Sequence, residues 1–189
     1  MSPTYGMPFF LEDRSGDVRG GEFVDLYNRM RFSIRCTLRS SDRNAYMIYD
    51  HSADSSTSRG GLLVPIGCLD FGANHALGTV KIGDKDHVPM NTYLAKVSRS
   101  IPFSSKTRRF IASDGQEYRW THQANADSEY QCLNASGYSV AAYILKPAGE
   151  PNYPGSSGCV LTVEEAYQQI AGELLITLMI MRTIAKYNL

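Results

Sequence analysis

Polar and apolar positions alternate through most of this chain, and near its end the alternation stops. The clearest stretch runs from Arg29 to Arg39. Met30, Phe32, Ile34, Cys36 and Leu38 hold one parity; Arg29, Arg31, Ser33, Arg35, Thr37 and Arg39 hold the other. Side chains alternate across a strand, so this segment predicts a strand with one core face and one wet, cationic face. Shorter runs of similar texture, separated by Gly, Asp, Asn and Ser clusters, predict strands over 21–27, 44–49, 61–66, 77–82 and 92–98. Residues 107–112 and 116–122 flank Ser113-Asp114-Gly115, and 130–133 and 138–145 flank Asn134-Ala135-Ser136-Gly137; both pairs read as hairpins. Hairpins in succession, without helices between them, predict an antiparallel meander and argue against a parallel doubly wound sheet.

The texture changes at Lys146. Residues 146–158 are dense in Pro, Gly and Ser and read as an exposed connector within one domain. Thr162-Val163-Glu164-Glu165 has the form of a capping box, which predicts a helix over about 163–187. From Leu174 to Met181 that helix is apolar on every side except at Thr177, and Arg182 and Lys186 follow in its last turns, where cations favour the helix dipole. A helix apolar all round must be surrounded by protein or by lipid. A membrane span needs about twenty apolar residues, and this run is far shorter, bracketed by Glu173 and Arg182. No transmembrane segment is therefore expected. In an otherwise β chain, a closed or nearly closed sheet is what can surround a helix. Burying these side chains is worth on the order of 10–20 kcal/mol before chain entropy is counted. The expected fold is mainly β: an antiparallel barrel over about 5–145, wrapped around a central hydrophobic C-terminal helix, with 1–189 forming one domain.

An antiparallel barrel threaded by such a helix is the tubby C-terminal-like architecture, shared by tubby proteins, phospholipid scramblases and the LURP-one-related proteins. The chain resembles, more specifically, a family of small uncharacterised domains abundant in mushroom-forming fungi. The resemblance is carried by Arg109-Phe110, Asp114-Gly115, Tyr118-Arg119-Trp120, Val140-Ala141-Ala142-Tyr143 and Glu173-Leu174-Leu175-Ile176-Thr177-Leu178. It covers the C-terminal half; the N-terminal half matches in texture only. It implies the fold and no activity, although tubby domains bind phosphoinositides through basic residues on the barrel.

Charge narrows the partners. Lys plus Arg equals Asp plus Glu, so the net charge is zero and no nucleic-acid partner is expected from a global field. Recognition must come from local clusters. On one strand face, neighbours lie about 7 Å apart, so Arg29, Arg31, Arg35 and Arg39 can span an anionic surface or several phosphates; a solvated face balanced by acidic side chains on the next strand is the competing explanation. Lys106, Arg108 and Arg109, with Arg119, form a second candidate cluster for a phosphate; ordinary strand charges that discourage aggregation are the competing explanation. Trp120, alternating with Tyr118 and His122, is expected in the core. Asp50-His51 and Asp86-His87 are adjacent, and adjacent strand residues point to opposite faces, so neither pair bonds directly in a regular strand.

The remaining signals are mostly exclusions. The four cysteines are widely spaced, with no paired-His or Cys-x-x-Cys metal set, and read as free buried thiols. No Gly-x-Ser-x-Gly elbow or phosphate-cradling Gly-Lys-Ser/Thr loop is present, so no catalytic residue and no cofactor is assigned. No secretory leader opens the sequence, which points to an intracellular, cytoplasmic or membrane-peripheral protein, and the Asn134-Ala135-Ser136 tripeptide is expected to go unglycosylated. The function expected first is a non-enzymatic module for anionic lipid headgroups. A protein-interaction or self-assembling module comes second, and an enzyme or small-ligand carrier working in the barrel mouth comes third.

Overall fold

The structure is a computed structural model and describes residues 6–17, 20–52, 63–97, 106–122, 130–151 and 153–189. Its strands are β1 (Phe9–Asp13), β2 (Gly21–Asp25), β3 (Arg31–Arg39), β4 (Arg43–Asp50), β5 (Gly67–Gly72), β6 (Thr79–Ile82) and β7 (Val88–Pro89), then β8 (Ala95–Lys96), β9 (Lys106–Ile111), β10 (Glu117–His122), β11 (Tyr130–Asn134), β12 (Ser139–Ile144) and β13 (Cys159–Val163). A one-turn helix, α1 (Met90–Tyr93), separates β7 from β8, and the long helix α2 (Ala171–Tyr187) ends the chain. All strands join one antiparallel sheet in the order β7-β6-β5-β4-β3-β2-β1-β13-β12-β11-β10-β9-β8. The chain is therefore two meanders joined through the β1–β13 pairing, in which Phe9 faces Val163 and Leu11 faces Leu161.

The expected wrapping of strands about the helix is present, but the ladder of hydrogen bonds does not close. Its two edges, β7 and β8, are two residues each, and Pro89 lacks an amide to donate. Between them α1 buries Met90 and, just past its end, Leu94. Short edges with a proline and a covering turn offer little for another strand to extend.

Helix α2 is buried at Ala171 and throughout 173–184, so it meets protein on every side. Among the described residues, no helix is long and apolar enough to cross a membrane. A side chain at Gly67 would run into Ile176, so this glycine in β5 sets how closely α2 approaches the sheet. The polar residues carried into the core are each answered. Thr177 Oγ1 accepts from the Trp120 indole (2.8 Å) and donates to the Glu173 carbonyl (2.8 Å). Arg182 donates to Asp13 Oδ2 (3.0 Å) and to the Gly16 carbonyl (2.8 Å), with its guanidinium 4.6 Å from the Tyr143 ring centroid. Trp120 is fully buried, as its parity implied.

Several expectations are corrected. Thr162 lies inside β13, paired to Phe10 on one side and Ala142 on the other, so it caps nothing. The Glu165 carboxylate instead accepts the Gly6 amide. A 3-10 run over Glu165–Ile170 follows, and α2 starts only at Ala171. The alternating, β-branched Val160–Val163 segment gains two strand partners, which outweighs a local cap worth about 1 kcal/mol. The strand expected over 61–66 lies at Gly67–Gly72 instead, with 61–62 outside the described residues. The one expected over 92–98 divides into part of α1 and the short β8, with Ser98 outside the described residues.

Both hairpins form where their turn residues placed them. Gly115 takes φ 78° and donates to the Ala112 carbonyl. Asn134 Oδ1 accepts the amides of Ser136 and Tyr138 (both 3.0 Å), while its Nδ2 donates to the Tyr167 hydroxyl (3.0 Å). The side chain that looked like a glycosylation acceptor is a turn brace.

Candidate basic mouth at the C-terminal end of the central helix

The alternation of β3 fails where the sequence looked most regular. Its register against β4 shifts between Cys36 and Leu38: Cys36 faces Tyr46, whereas Leu38 faces Ala45 and Arg39 faces Asn44. This is a β-bulge, with Thr37 as the extra residue, and a one-residue insertion exchanges the two faces beyond it. Leu38 is thereby turned toward solvent, 42% exposed, and Cys36 is exposed too. Ser33, assigned to the wet face, is buried and bonded to His51 Nε2 (2.8 Å).

The four arginines consequently do not form one stripe: only Arg31 and Arg35 share the outer face. Arg29 precedes β3 and donates to both oxygens of buried Asp25 (2.9 and 3.1 Å) and to the carbonyls of Met7 and Pro8 (3.1 and 2.6 Å). Burial alone would raise the Asp25 pKa, but hydrogen bonds from the Arg29 side chain and from the amides of Phe10 and Arg29 hold it below the ordinary value. Arg29 is a bolt for the β2–β3 turn. Arg31 lies outside, paired with Glu22 (2.8 Å). Arg35 also lies outside, over the Tyr49 ring (5.2 Å). Arg39 lines a cavity of about 180 Å³ with Asn44, Tyr46, Phe71, His75, Thr183 and Tyr187, at the C-terminal end of α2.

The second cluster divides as well. Arg109 and Arg119 face outward and share Glu117 (3.1 and 2.8 Å). Lys106 and Arg108 face inward and meet the end of α2. Lys106 Nζ donates to the Ile184 and Ala185 carbonyls (3.1 and 3.5 Å), and Arg108 Nη2 to the Leu189 carbonyl (3.2 Å). Burial, then the charge of Arg108, lowers the Lys106 pKa, and burial lowers that of Arg108. Burial and the Lys106 charge likewise lower the His122 pKa. Cations at a helix C-terminus offset the partial negative charge of its last carbonyls. One residue of the first cluster and two of the second are thus gathered around the C-terminal end of α2.

His75 completes the rim. It sits at the β5–β6 turn with φ 63°, beside Asn74 at φ 54°, and stacks on Tyr187 (3.9 Å between centroids, 6° between planes). Two successive left-handed residues are the requirement of a tight hairpin turn, which Asn and His tolerate better than most. Nothing in the local pattern around Ala73-Asn74-His75 pointed to this position, because the strand was expected before Gly67.

The opposite mouth, at the N-terminal end of α2, has another character. Asp50, Asp84 and Glu173 line it against Lys85. His87 bonds Thr79 Oγ1 (3.3 Å), and His122 lies against the Tyr130 ring (4.4 Å). Neither histidine lines this mouth, His122 being paired in register with Lys106 near the other end of α2, and neither imidazole is hydrogen-bonded to a carboxylate among the described residues. Also among the described residues, no group of three His, Cys, Asp or Glu side chains is placed to hold a metal ion. The four cysteines are unpaired, with Cys36 exposed and the others buried.

No curated protein and no solved structure matches the chain. A family model does, over residues 31–186, from the start of β3 to the last turn of α2. The chain belongs to that family of unknown function, DUF6593.

Proposed function

We propose that the protein is a non-enzymatic binding module that takes a phosphate-bearing anionic headgroup at the basic mouth around the C-terminal end of α2. The observation that carries this reading is the bulge in β3, which turns Arg39 off the outer face and to a cavity lined by polar and aromatic side chains. Asn44, Tyr46, His75, Thr183 and Tyr187 surround it, and no carboxylate is among the lining residues. Lys106 and Arg108 neutralise the helix end that would otherwise repel an anion. A guanidinium with no competing carboxylate beside it is suited to phosphate oxygens. A cavity of about 180 Å³ accepts a single phosphate group and part of what carries it. The outward arginines 31, 109 and 119 already face Glu22 or Glu117 and add only long-range attraction. Kinship with the tubby-like and scramblase-like domains, and the fungal character of the family, belong to the same proposal; a helix enclosed by antiparallel strands supports it.

Vesicles of phosphatidylcholine carrying a few per cent of a phosphoinositide are expected to sediment the protein, with binding that weakens steeply as salt rises. Arg39→Glu abolishes that binding, whereas Arg31→Glu, on the outer face, weakens it only slightly. Titration with soluble inositol phosphate separates recognition of the headgroup from attraction to a charged surface. Equal binding by the Arg39→Glu protein, or no preference for phosphoinositide vesicles over plain ones, overturns the reading.

A further inference from the structure

The mouth at the other end of α2 is the larger opening. Its cleft, about 710 Å³, falls in the size range of small-molecule sites. One wall is apolar: Phe32, Pro65, Ile66 and Ile82. Beside them are the carboxylates of Asp50, the cross-strand neighbour of Phe32, and Asp84, the first half-buried and the second exposed. Neither is in an ion pair with a described residue. Asp50 Oδ1 accepts the Ser52 amide (2.8 Å), which holds that side chain at the cleft it lines.

Two features make this mouth unsuited to an anion. The positive end of α2 is already answered by Glu173, which accepts the Ser113 amide (3.1 and 3.0 Å) and the Tyr93 hydroxyl (3.1 Å) at the first turn. The 3-10 run before α2 also occupies the first helical amide, since Ala171 donates to the Gln168 carbonyl. With Glu173 engaged at the helix end, Asp50 and Asp84 against one ammonium, Lys85, leave the described lining of the cleft negative beside an apolar wall. We infer that it binds a small primary amine carried on an aromatic or branched apolar body, with the ammonium between Asp50 and Asp84 and the body against Ile66 and Ile82. This site is independent of the basic mouth, at the opposite end of the helix and opposite in charge.

The test uses the full chain and three probes of one shape: phenethylamine, 2-phenylethanol and 3-phenylpropionate. Amide chemical shifts are followed by NMR at neutral pH. Phenethylamine is expected to bind about tenfold or more tighter than the neutral alcohol, a difference of about 1.4 kcal/mol, with the largest shifts at Gly83, Gln169 and Gly172. The propionate is expected not to bind. Asp50→Asn with Asp84→Asn should reduce amine affinity to that of the alcohol while leaving the melting temperature nearly unchanged, because neither side chain braces the core. Gly172→Leu, which pushes aside Ile66 and fills the cleft, should abolish binding of both the amine and the alcohol. Failure of the amine to saturate at millimolar concentration, equal binding of the propionate, or undiminished affinity in the double aspartate variant each overturns the inference. None of these outcomes depends on whether phosphoinositide vesicles are bound, so the two readings fail separately.

Discussion

Arg182→Ala is expected to destabilise the protein by about 3–5 kcal/mol, the usual loss when one partner of a buried ion pair is removed. The guanidinium is 5% exposed and Asp13, its partner from the first strand, 0%. Without Arg182, Asp13 keeps the amides of Ser15 (3.1 Å) and Gly16 (2.9 Å) and the Tyr143 hydroxyl (2.7 Å), but its charge stays buried with no counter-ion. The Gly16 carbonyl loses its donor at the same time. Asp13→Asn should cost a comparable amount, now by stranding the cation. The double variant Asp13→Asn/Arg182→Met should recover most of the loss, because a buried pair replaced as a unit is often neutral. Urea denaturation of the wild type and the three variants measures these differences. A loss below about 1 kcal/mol for Arg182→Ala is what an exposed pair would show, and it would contradict the burial of both side chains.

This pair also marks where reading the chain by pattern reaches its limit. The enclosed helix was legible because no alternative environment suits Leu174–Met181: the run is too short for a bilayer and too apolar for a surface. Arg182 could be placed near a helix C-terminus, but not assigned to Asp13, since 169 residues separate them. The β1–β13 pairing that brings them together is equally non-local. Two five-residue strands, each partnered from the far end of the chain, carry no signature in their own neighbourhoods. At Thr162-Val163-Glu164-Glu165 the local signature was present and lost, because a capping box competes poorly with a segment that can be paired on both sides.

The candidate site was less legible than the fold for one reason. A stripe of arginines is an inference from parity, and parity survives only while the strand is regular. A single extra residue at Thr37 moved Arg39 from the outer face to the mouth and made the stripe a scattered set. Bulges have no dependable sequence mark outside glycine positions. Arg29, equally, is recognisable as a turn bolt only once Asp25 is seen at its side. Lys106 and Arg108 alternate with outward residues as β9 requires, but which parity faced inward depended on Phe110, and that apolar residue was a usable clue: positions 106, 108 and 110 share a face.

Trp120→Ala is the second large effect, expected at about 3–5 kcal/mol for loss of a fully buried aromatic side chain. The residue touches the one hydroxyl in the apolar stretch of α2, and this explains why Thr177 stands among leucines and methionines. Its Oγ1 accepts the indole N–H and donates its own O–H to the Glu173 carbonyl, so all the hydrogen-bonding groups are answered. Thr177→Val keeps the shape and leaves the indole donor unanswered, at about 1–3 kcal/mol. In Trp120→Phe the donor is gone, and adding Thr177→Val to it should cost less than Thr177→Val alone. That non-additivity is the mark of a direct contact, and denaturation midpoints of the single and double variants report it. Trp120 is also the only tryptophan in the chain, so its emission gives an independent check. Blue-shifted native fluorescence, moving red on unfolding, is expected for an indole enclosed between β10 and α2. A native spectrum already at the solvent-exposed position would mean that the helix does not lie against that strand, and the enclosed core would have to be abandoned with it.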